Sequence, residues 1–205
     1  ISLDTRKSKV MQHGISIGVD MLNDVSALDF DQQSYQVVKD SGKPIILNHS
    51  QGTPEDMQNN PTYENVLLDI FDYFENKIKF LKDNGIKDEQ IIIDPGIGFG
   101  KTLQHNVELL QQHELSRGTN NYSILWGVSR KSMISQLTGK TKTDDRLSGT
   151  LAVAAFANEE GISRCTLITL QYFGTIDIKS AAFPDQFVSD SKKATKEWLV
   201  IATRV

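Results

Sequence analysis

The sequence predicts an α/β fold built on a parallel sheet, and three observations support this prediction. Short apolar segments alternate with helical segments along the 205 residues. The run Ile91-Ile92-Ile93 shows no polar alternation, which suits a strand buried on both faces. Polar residues directly follow each predicted strand. Regular alternation of strands and helices favours parallel pairing through right-handed crossovers, and the chain is long enough for one substantial core.

The predicted elements follow one another from the first residue onward. Apolar runs predict strands at residues 1–5, 19–22, 44–47, 91–94 and 123–128, with a further strand at 166–170. Helical patterns occupy residues 7–13, 34–41, 67–81, 105–113 and 147–160, and a last helix is expected at 190–202. Apolar residues recur every three or four positions in the helix at 67–81, as expected for one buried face. Gly14, Gly42 and Gly85 are expected to end the first three helices.

The polar residues after each strand match the carboxyl-terminal face of a (β/α)8 TIM barrel, where catalytic groups lie. Six strand–helix units are too few to close eight strands, and Ile1 already lies in a strand-like segment. We therefore expect a TIM barrel that is incomplete at the N-terminus and atypical or truncated at the C-terminus.

Composition excludes several classes of protein. The net charge of −4 and the pI of about 5.6 argue against a general nucleic-acid binder, which would carry a basic face. Cys165 is the only cysteine, so no internal disulfide can form, and a reducing cytoplasm is the expected location. No apolar run approaches the ~18 residues of a membrane span.

Four predicted strand ends carry residues suited to binding a small molecule: Asp4, Asn23, Asp94 and Lys131. Carboxylates accept hydrogen bonds, an amide both donates and accepts, and an ammonium only donates. Together they are suited to reading the edge of a flat heterocycle. Each alone could instead cap a helix, but a barrel brings successive strand ends together.

A glycine-rich turn, Asp94-Pro95-Gly96-Ile97-Gly98-Phe99-Gly100-Lys101-Thr102, follows the strand that ends at Asp94. Its alternate glycines permit positive φ angles and close backbone approach to a bound molecule. Phe99 offers that molecule a flat apolar surface. The alternative is an ordinary loop between a strand and a helix.

The residues of several motifs together resemble the dihydropteroate synthase family. These motifs are the glycine-rich turn with His105-Asn106, Gly127-Val128-Ser129-Arg130-Lys131-Ser132, Asp145-Arg146-Leu147-Ser148-Gly149-Thr150, Ile1-Ser2-Leu3-Asp4-Thr5, Leu22-Asn23-Asp24-Val25 and His49-Ser50-Gln51-Gly52-Thr53-Pro54. The resemblance covers residues 1–162, which we expect to form a pterin-binding barrel core. Residues 163–205 are expected to form an atypical C-terminal segment.

The resemblance implies a transferase of folate biosynthesis, cytoplasmic and homodimeric, of the class that sulfonamides target. It would join 6-hydroxymethyl-7,8-dihydropterin diphosphate to 4-aminobenzoate, with Mg²⁺. It implies that Asp4, Asn23 and Asp94 bind the pterin edge and that Gly98 and Phe99 lie near the ring. Lys131 would reach the pterin carbonyl and ring nitrogen, and Ser129 and Lys131 would contact the aminobenzoate. The implied catalytic residues are Asp94, Lys131 and Asp4, and no metal ligand is identified.

Several other residues have two interpretations. Asn48 stands where the family usually has a methionine beneath the pterin. His49 either touches a substrate or is a packed, hydrogen-bonded histidine, and Lys101 either binds phosphate or is a solvated lysine at a helix start. Arg130 either packs beneath the site or helps to hold its loop. A further group, expected to cap a helix and form ion pairs rather than bind metal, comprises Asp144, Asp145 and Arg146. Arg146 is also expected to anchor the loop of Ser129.

Two alternative functions and two accounts of the tail stay open. A pterin-binding methyltransferase domain would share the barrel but not the Ser129–Ser132 run, and a non-catalytic pterin-binding or partner protein is the other alternative. The family's first strand and two substrate loops are expected before Ile1, and its Arg-Val-His-Asp run after Gly161. The tail is either an inserted, structured extension in a truncated chain, or the product of a reading-frame change.

Overall fold

A computed structural model describes residues 1–52, 61–118, 120–162 and 164–166 as a parallel sheet covered by helices. Its six strands are β1 Ser2–Asp4, β2 Met21–Asp24, β3 Ile45–Asn48, β4 Ile91–Asp94, β5 Ser123–Gly127 and β6 Arg164–Thr166. Its α-helices in these ranges are α1 Ser8–Ser16, α2 Ser34–Ser41, α3 Val66–Asp83, α4 Leu103–Gln111, α5 Ser132–Thr138 and α6 Leu147–Glu159.

Each strand pairs in parallel with the strand that follows it in the chain, so the spatial order is β1-β2-β3-β4-β5-β6. A doubly wound sheet reverses its order at a switch point, whereas a (β/α)8 barrel does not. The described strands therefore form the arc of a TIM barrel, which confirms the predicted fold class.

The two faces of the sheet differ in what covers them. The face toward the helices contributes to the main core, which includes Leu47, Ile93 and Trp126. The opposite face carries a separate buried cluster with one residue from each of four strands: Met21, Ile46, Ile92 and Leu125. We call this the inner face.

Side chains alternate along a strand, so a residue two positions after an inner-face residue lies on the same face. This places Asn23 after Met21, and Asp94 after Ile92, at the carboxyl end of the inner face. The carboxyl end of the inner face thus carries polar side chains, next to the layer of apolar side chains formed by the preceding residues.

Most element predictions agree with the structure. The second helix ends at Ser41, and Gly42 follows with a φ of 63°, as predicted. The prediction that Gly14 ends the first helix was wrong, because α1 continues to Ser16. Gly14 is buried, and a Cβ there would overlap the side chain of Leu3. A small residue is needed at that contact.

Two further differences concern the C-terminal half. Helix α5 was not predicted. Strand β6 begins at Arg164, two residues before the predicted start. The rest of the tail, with its predicted helix at 190–202, lies outside the described residues, and the predicted division at 162/163 stays a prediction. None of the described helices is both long and apolar enough to cross a membrane.

Candidate functional site

The first predicted pair of strand ends lies together. Asp4 ends β1, and its Cα is in register with that of Asn23 on β2. The Asn23 amide nitrogen donates a hydrogen bond to Asp4 Oδ2 over 3.4 Å. Burial raises the pKa of Asp4, and the carboxylates of Asp24 and Asp94 raise it further. Asp4 and Asp94 are therefore close enough to interact electrostatically.

Asp94 is the most deeply placed of the predicted ligands, at 4% exposure. Its Oδ1 accepts a hydrogen bond of 2.8 Å from the backbone N–H of Gly96. Burial raises the pKa of Asp94, while Lys131, the Gly96 N–H and a hydrogen bond from Asn48 act in the opposite direction. The site thus surrounds a desolvated carboxyl group with donors that favour its ionised form.

Lys131 follows β5 and reaches across to the turn after β4. Its ammonium donates to the carbonyl oxygen of Ile97 and lies 3.7 Å from the centre of the Phe99 ring. Burial lowers the pKa of Lys131 to about 8, although the negative charge of Asp94 opposes that shift. The structure therefore brings Asp4, Asn23, Asp94 and Lys131 together at one edge of the sheet.

The glycines of the turn have the predicted positive φ, with 71° at Gly96 and 80° at Gly98. The space that a Cβ would fill at two of these glycines is taken by the protein itself, and close backbone approach to a bound molecule stays a prediction. A Cβ at Gly96 would overlap the carbonyl oxygen of His49, and one at Gly98 would lie 2.7 Å from Cδ of Lys131. These glycines allow the turn to pack against the protein itself.

Lys101 is buried at 4% exposure, so its interpretation as a solvated lysine was wrong. Its ammonium lies 2.9 Å from the Phe99 carbonyl oxygen, 3.3 Å from the His49 carbonyl oxygen and 3.0 Å from His49 Nδ1. Burial lowers the pKa of Lys101 to about 7, with Asp94 opposing the shift and Lys131 adding to it. Lys101 ties the glycine-rich turn to the end of β3.

His49 is the packed, hydrogen-bonded histidine of the second interpretation. Burial and the neighbouring Lys101 lower the pKa of His49 to about 3, so its ring is neutral at physiological pH. A neutral ring can accept the Lys101 hydrogen bond at Nδ1. Its ring also packs against the rings of Tyr63, Tyr73 and Phe74, with the ring centre of Tyr73 nearest at 4.8 Å.

The loop between β5 and α5 carries Ser129, which is half-buried. Beside it, the backbone N–H of Arg130 donates to Thr150 Oγ1 over 2.9 Å, and the Arg130 guanidinium pairs with Asp144 at 2.8 Å. Arg146 donates from Nη1 to the Arg130 carbonyl oxygen over 3.0 Å. Arg130 and Arg146 thus hold the loop of Ser129. Asp144 forms an ion pair as predicted, but with Arg130, and the expectation that Asp144, Asp145 and Arg146 cap a helix was wrong, because no side chain caps α6.

Sequence reasoning missed Asn106 and understated Asn48. Asn106 is 3% exposed; its Oδ1 accepts from the Gly98 N–H over 2.7 Å, and its amide donates to the Thr102 carbonyl oxygen over 2.8 Å. The sequence did offer one signal for Asn106, namely its position in the first turn of α4, directly after the glycine-rich turn. Asn48 supports Asp94 directly.

Among the described residues, no group of three or more histidine, cysteine, aspartate or glutamate side chains is arranged to hold a metal ion.

A barrel edge at which carboxylates, amides and a buried ammonium converge defines a small-molecule site of the kind found in barrel enzymes. The chain belongs to the pterin binding enzyme family, which matches residues 1–166.

Relatives with similar sequences are dihydropteroate synthases. The enzyme of Neisseria meningitidis serogroup C is 38% identical over 162 residues, which are 78% of this chain and 57% of that protein. The enzyme of Haemophilus influenzae is 39% identical over 162 residues, covering 78% of this chain and 58% of that protein. The chain thus spans somewhat more than half the length of these relatives.

A solved structure of dihydropteroate synthase from Xanthomonas albilineans, with 4-aminobenzoic acid, superposes with a TM-score of 0.70 at 32% identity. The match covers 78% of this chain and 56% of that one. The similarity therefore extends to the barrel as well as to the sequence.

Proposed function

We propose that this protein is a dihydropteroate synthase, which joins 6-hydroxymethyl-7,8-dihydropterin diphosphate to 4-aminobenzoate and releases diphosphate. The observation that carries the proposal is the convergence of Asp4, Asn23, Asp94 and Lys131 beyond the carboxyl ends of β1, β2, β4 and β5. Dihydropteroate synthases are also the relatives reported above. The Ser129–Ser132 run and these relatives favour a synthase over a methyltransferase domain or a non-catalytic binding protein.

In this proposal the pterin lies across the inner-face edge. Asp4, Asn23 and Asp94 bind its ring edge, and Lys131 donates to its carbonyl oxygen and ring nitrogen. Gly98 and Phe99 lie near the ring, with the half-buried Phe99 as its apolar neighbour. Ser129 and Lys131 contact the aminobenzoate, because the loop that carries them follows the neighbouring strand β5.

The chemistry needs no protein nucleophile. The bond between the pterin methylene carbon and the diphosphate oxygen breaks, and diphosphate leaves with the electron pair. The aniline nitrogen forms the new C–N bond and then loses a proton. Positive charge that develops on the methylene is stabilised by the buried carboxylates Asp94 and Asp4, and the alignment of two substrates lowers the entropic part of the barrier.

Three further features belong to the same proposal. Mg²⁺ would neutralise the diphosphate, but the described residues offer it no cluster of protein ligands, so no step here depends on it. A homodimer is supported by exposed leucines on α5 and α6, of which Leu137 is 54% and Leu151 is 40% exposed. A cytoplasmic location is supported by the single cysteine.

The test is turnover by the full-length protein supplied with the pterin diphosphate, 4-aminobenzoate and Mg²⁺. Asp94→Asn and Lys131→Ala should each abolish condensation and leave the circular dichroism spectrum unchanged. Asp72→Asn and Lys9→Ala, at exposed helix positions, serve as matched controls. Binding of the pterin without turnover by the wild type would contradict the synthase, and retained turnover in both site variants would contradict the pocket.

A further inference from the structure

Asn48 occupies a central position in the candidate site, and none of the proposed substrate contacts uses it. It is the last residue of β3, and its Cα is in register with that of Asp94 on β4. It lies two residues after Ile46 and so on the inner face. Only 3% of the residue is exposed.

The orientation of the Asn48 amide follows from its neighbour. An ionised carboxylate can only accept hydrogen bonds, so the amide group that faces Asp94 is the NH₂. The carbonyl oxygen, Oδ1, then points away from Asp94. This oxygen is buried and has no hydrogen-bond partner among the described residues. Such an oxygen weakens the folded state unless a donor reaches it.

Asn23 repeats this arrangement two strands away from Asp94. Its NH₂ donates to the carboxylate of Asp4, and its Oδ1 is also buried without a partner among the described residues. Two amides on the same face thus place their nitrogens on carboxylates and keep their oxygens available. A ligand that satisfies both oxygens must present N–H donors.

We propose that Asn48 is a specificity-determining residue whose Oδ1 accepts a hydrogen bond from an N–H group of the bound heterocycle. This inference rests on the proposed function and deepens it. The methionine that the family resemblance places here offers only an apolar contact. With Asn48 the site accepts a hydrogen bond from one more N–H donor of its ligand, and the same side chain holds the Asp94 carboxylate in place.

The experiment measures the affinity of the full-length protein for 6-hydroxymethylpterin by calorimetry. Asn48→Leu has nearly the shape of asparagine but neither polar atom, and it should weaken binding about 10-fold or more, the effect of losing a buried hydrogen bond. Asn48→Met is measured alongside it, since a methionine suits this position and secures a folded protein. Asn76→Leu, on the exposed side of α3, is the matched control and should leave the affinity unchanged.

A conservative variant separates hydrogen bonding from shape. In Asn48→Asp the new carboxyl group adjoins Asp94, and two adjacent carboxyl groups share one proton at low pH. The protonated pair still presents an acceptor to the ligand, so its affinity should approach that of the wild type at pH 5 and fall as the pH rises. Asp4, Lys101 and Lys131 titrate in both proteins, so the ratio to the wild type at each pH isolates the new group.

The outcomes are distinct. If the wild type binds 6-hydroxymethylpterin, and Asn48→Leu and Asn48→Met each bind it as tightly as the wild type does, the role of Asn48 is overturned while the proposed function stands. If Asn48→Asp is as weak as Asn48→Leu at every pH, the acceptor role is likewise overturned. If the wild type does not bind 6-hydroxymethylpterin, the proposed function itself fails, and the inference fails with it.

Discussion

The ammonium nitrogen of Lys131 lies 3.7 Å from the centre of the Phe99 ring. These two residues come from different loops, one after β5 and one after β4, and sequence reasoning assigned each of them separately to the ligand. A cation is attracted to the face of an aromatic ring, most strongly where water is excluded. The contact therefore links the two loops and favours the charged form of Lys131.

The first prediction concerns the pH dependence that follows from this contact. Burial lowers the pKa of Lys131 to about 8, so kcat/KM should fall as the pH rises through that value and the ammonium loses its proton. Phe99→Leu removes the ring that favours the charged form, lowers the pKa of Lys131 further and should move this alkaline limb to lower pH. A full pH–rate profile of each protein measures the shift.

The control for this prediction is Phe80→Leu, because Phe80 is 54% exposed on α3. Lys101 contacts residue 99 through the backbone oxygen, which the Phe99→Leu variant retains, so this bond is not affected. An alkaline limb at the same pH in Phe99→Leu and the wild type would show that the ring does not influence Lys131.

The second prediction compares two glycines with similar backbone conformations. Gly98 and Gly139 have φ values of 80° and 72°, so alanine at either position costs about 1–3 kcal/mol of backbone strain. A Cβ at Gly98 would lie 2.7 Å from Cδ of Lys131, whereas one at Gly139 would have no atom within 4 Å. Both variants should lose similar stability in urea unfolding.

Activity should separate them. Gly98→Ala displaces the Lys131 side chain and should lower kcat/KM about 10-fold or more, since a small misplacement of a substrate-binding group is costly. Gly139→Ala should retain the wild-type value. Equal activities in the two variants would mean that the Gly98–Lys131 contact does not position the lysine.

The strand ends were predictable because each lies at a visible change of pattern. An unbroken apolar run followed by a polar residue predicted Asp94 at the end of a buried strand, and the structure places it there. Convergence of Asp4 and Asn23 followed from parallel strands sharing one edge, since their carboxyl ends meet there.

Other features depend on contacts between distant segments, which periodicity does not encode. Lys101 precedes a helix, which suggests a solvated side chain. In the structure it is buried and forms hydrogen bonds with acceptors on His49, 52 residues away. The pairing of Asn48 with Asp94 depends on strand register, which no local pattern reveals. A glycine after a helical pattern usually marks the end of the helix, but Gly14 lies within α1 and is required there by packing against Leu3.

The third prediction concerns stability and Lys101. Lys101→Met keeps the bulk of the side chain but removes the donor to three acceptors on His49 and Phe99. Each buried acceptor left unsatisfied costs about 1–3 kcal/mol, so the free energy of unfolding should fall by at least about that amount in urea titrations at pH 10, where the folded protein no longer carries the buried charge that opposes folding at pH 7. Lys9→Met, on the exposed side of α1, should change it little.

The pH dependence of this effect has a definite sign. The pKa of Lys101 is lowered to about 7 in the folded protein, from 10.5 for an ordinary lysine, so the unfolded state binds more protons between these values. Wild-type stability therefore gains a contribution from Lys101 as the pH rises from about 7 to about 10.5. Lys101→Met removes this contribution, and parallel unfolding curves for the two proteins across that range would contradict the burial of a titrating lysine.

The fourth prediction tests whether Arg146 holds the loop that carries Ser129. Arg146 donates to the Arg130 carbonyl oxygen over 3.0 Å and to the Lys140 carbonyl oxygen over 3.3 Å. Arg146→Met removes both bonds, together with a third to the Thr141 carbonyl oxygen, and leaves Asp94 and its donors untouched. Loss of such bonds should raise the KM for 4-aminobenzoate about 3- to 10-fold, with little change in the KM for the pterin diphosphate.

The matched control for this prediction is Arg117→Met, because Arg117 also donates to a backbone carbonyl, that of Gly161, over 3.2 Å. That bond lies away from the loop of Ser129, so any loss of stability should leave both KM values unchanged. Steady-state kinetics with each substrate varied in turn separates the two effects. Equal increases in both KM values for Arg146→Met would indicate a general disturbance of the barrel edge, and Arg146 would then have no selective influence on the aminobenzoate side.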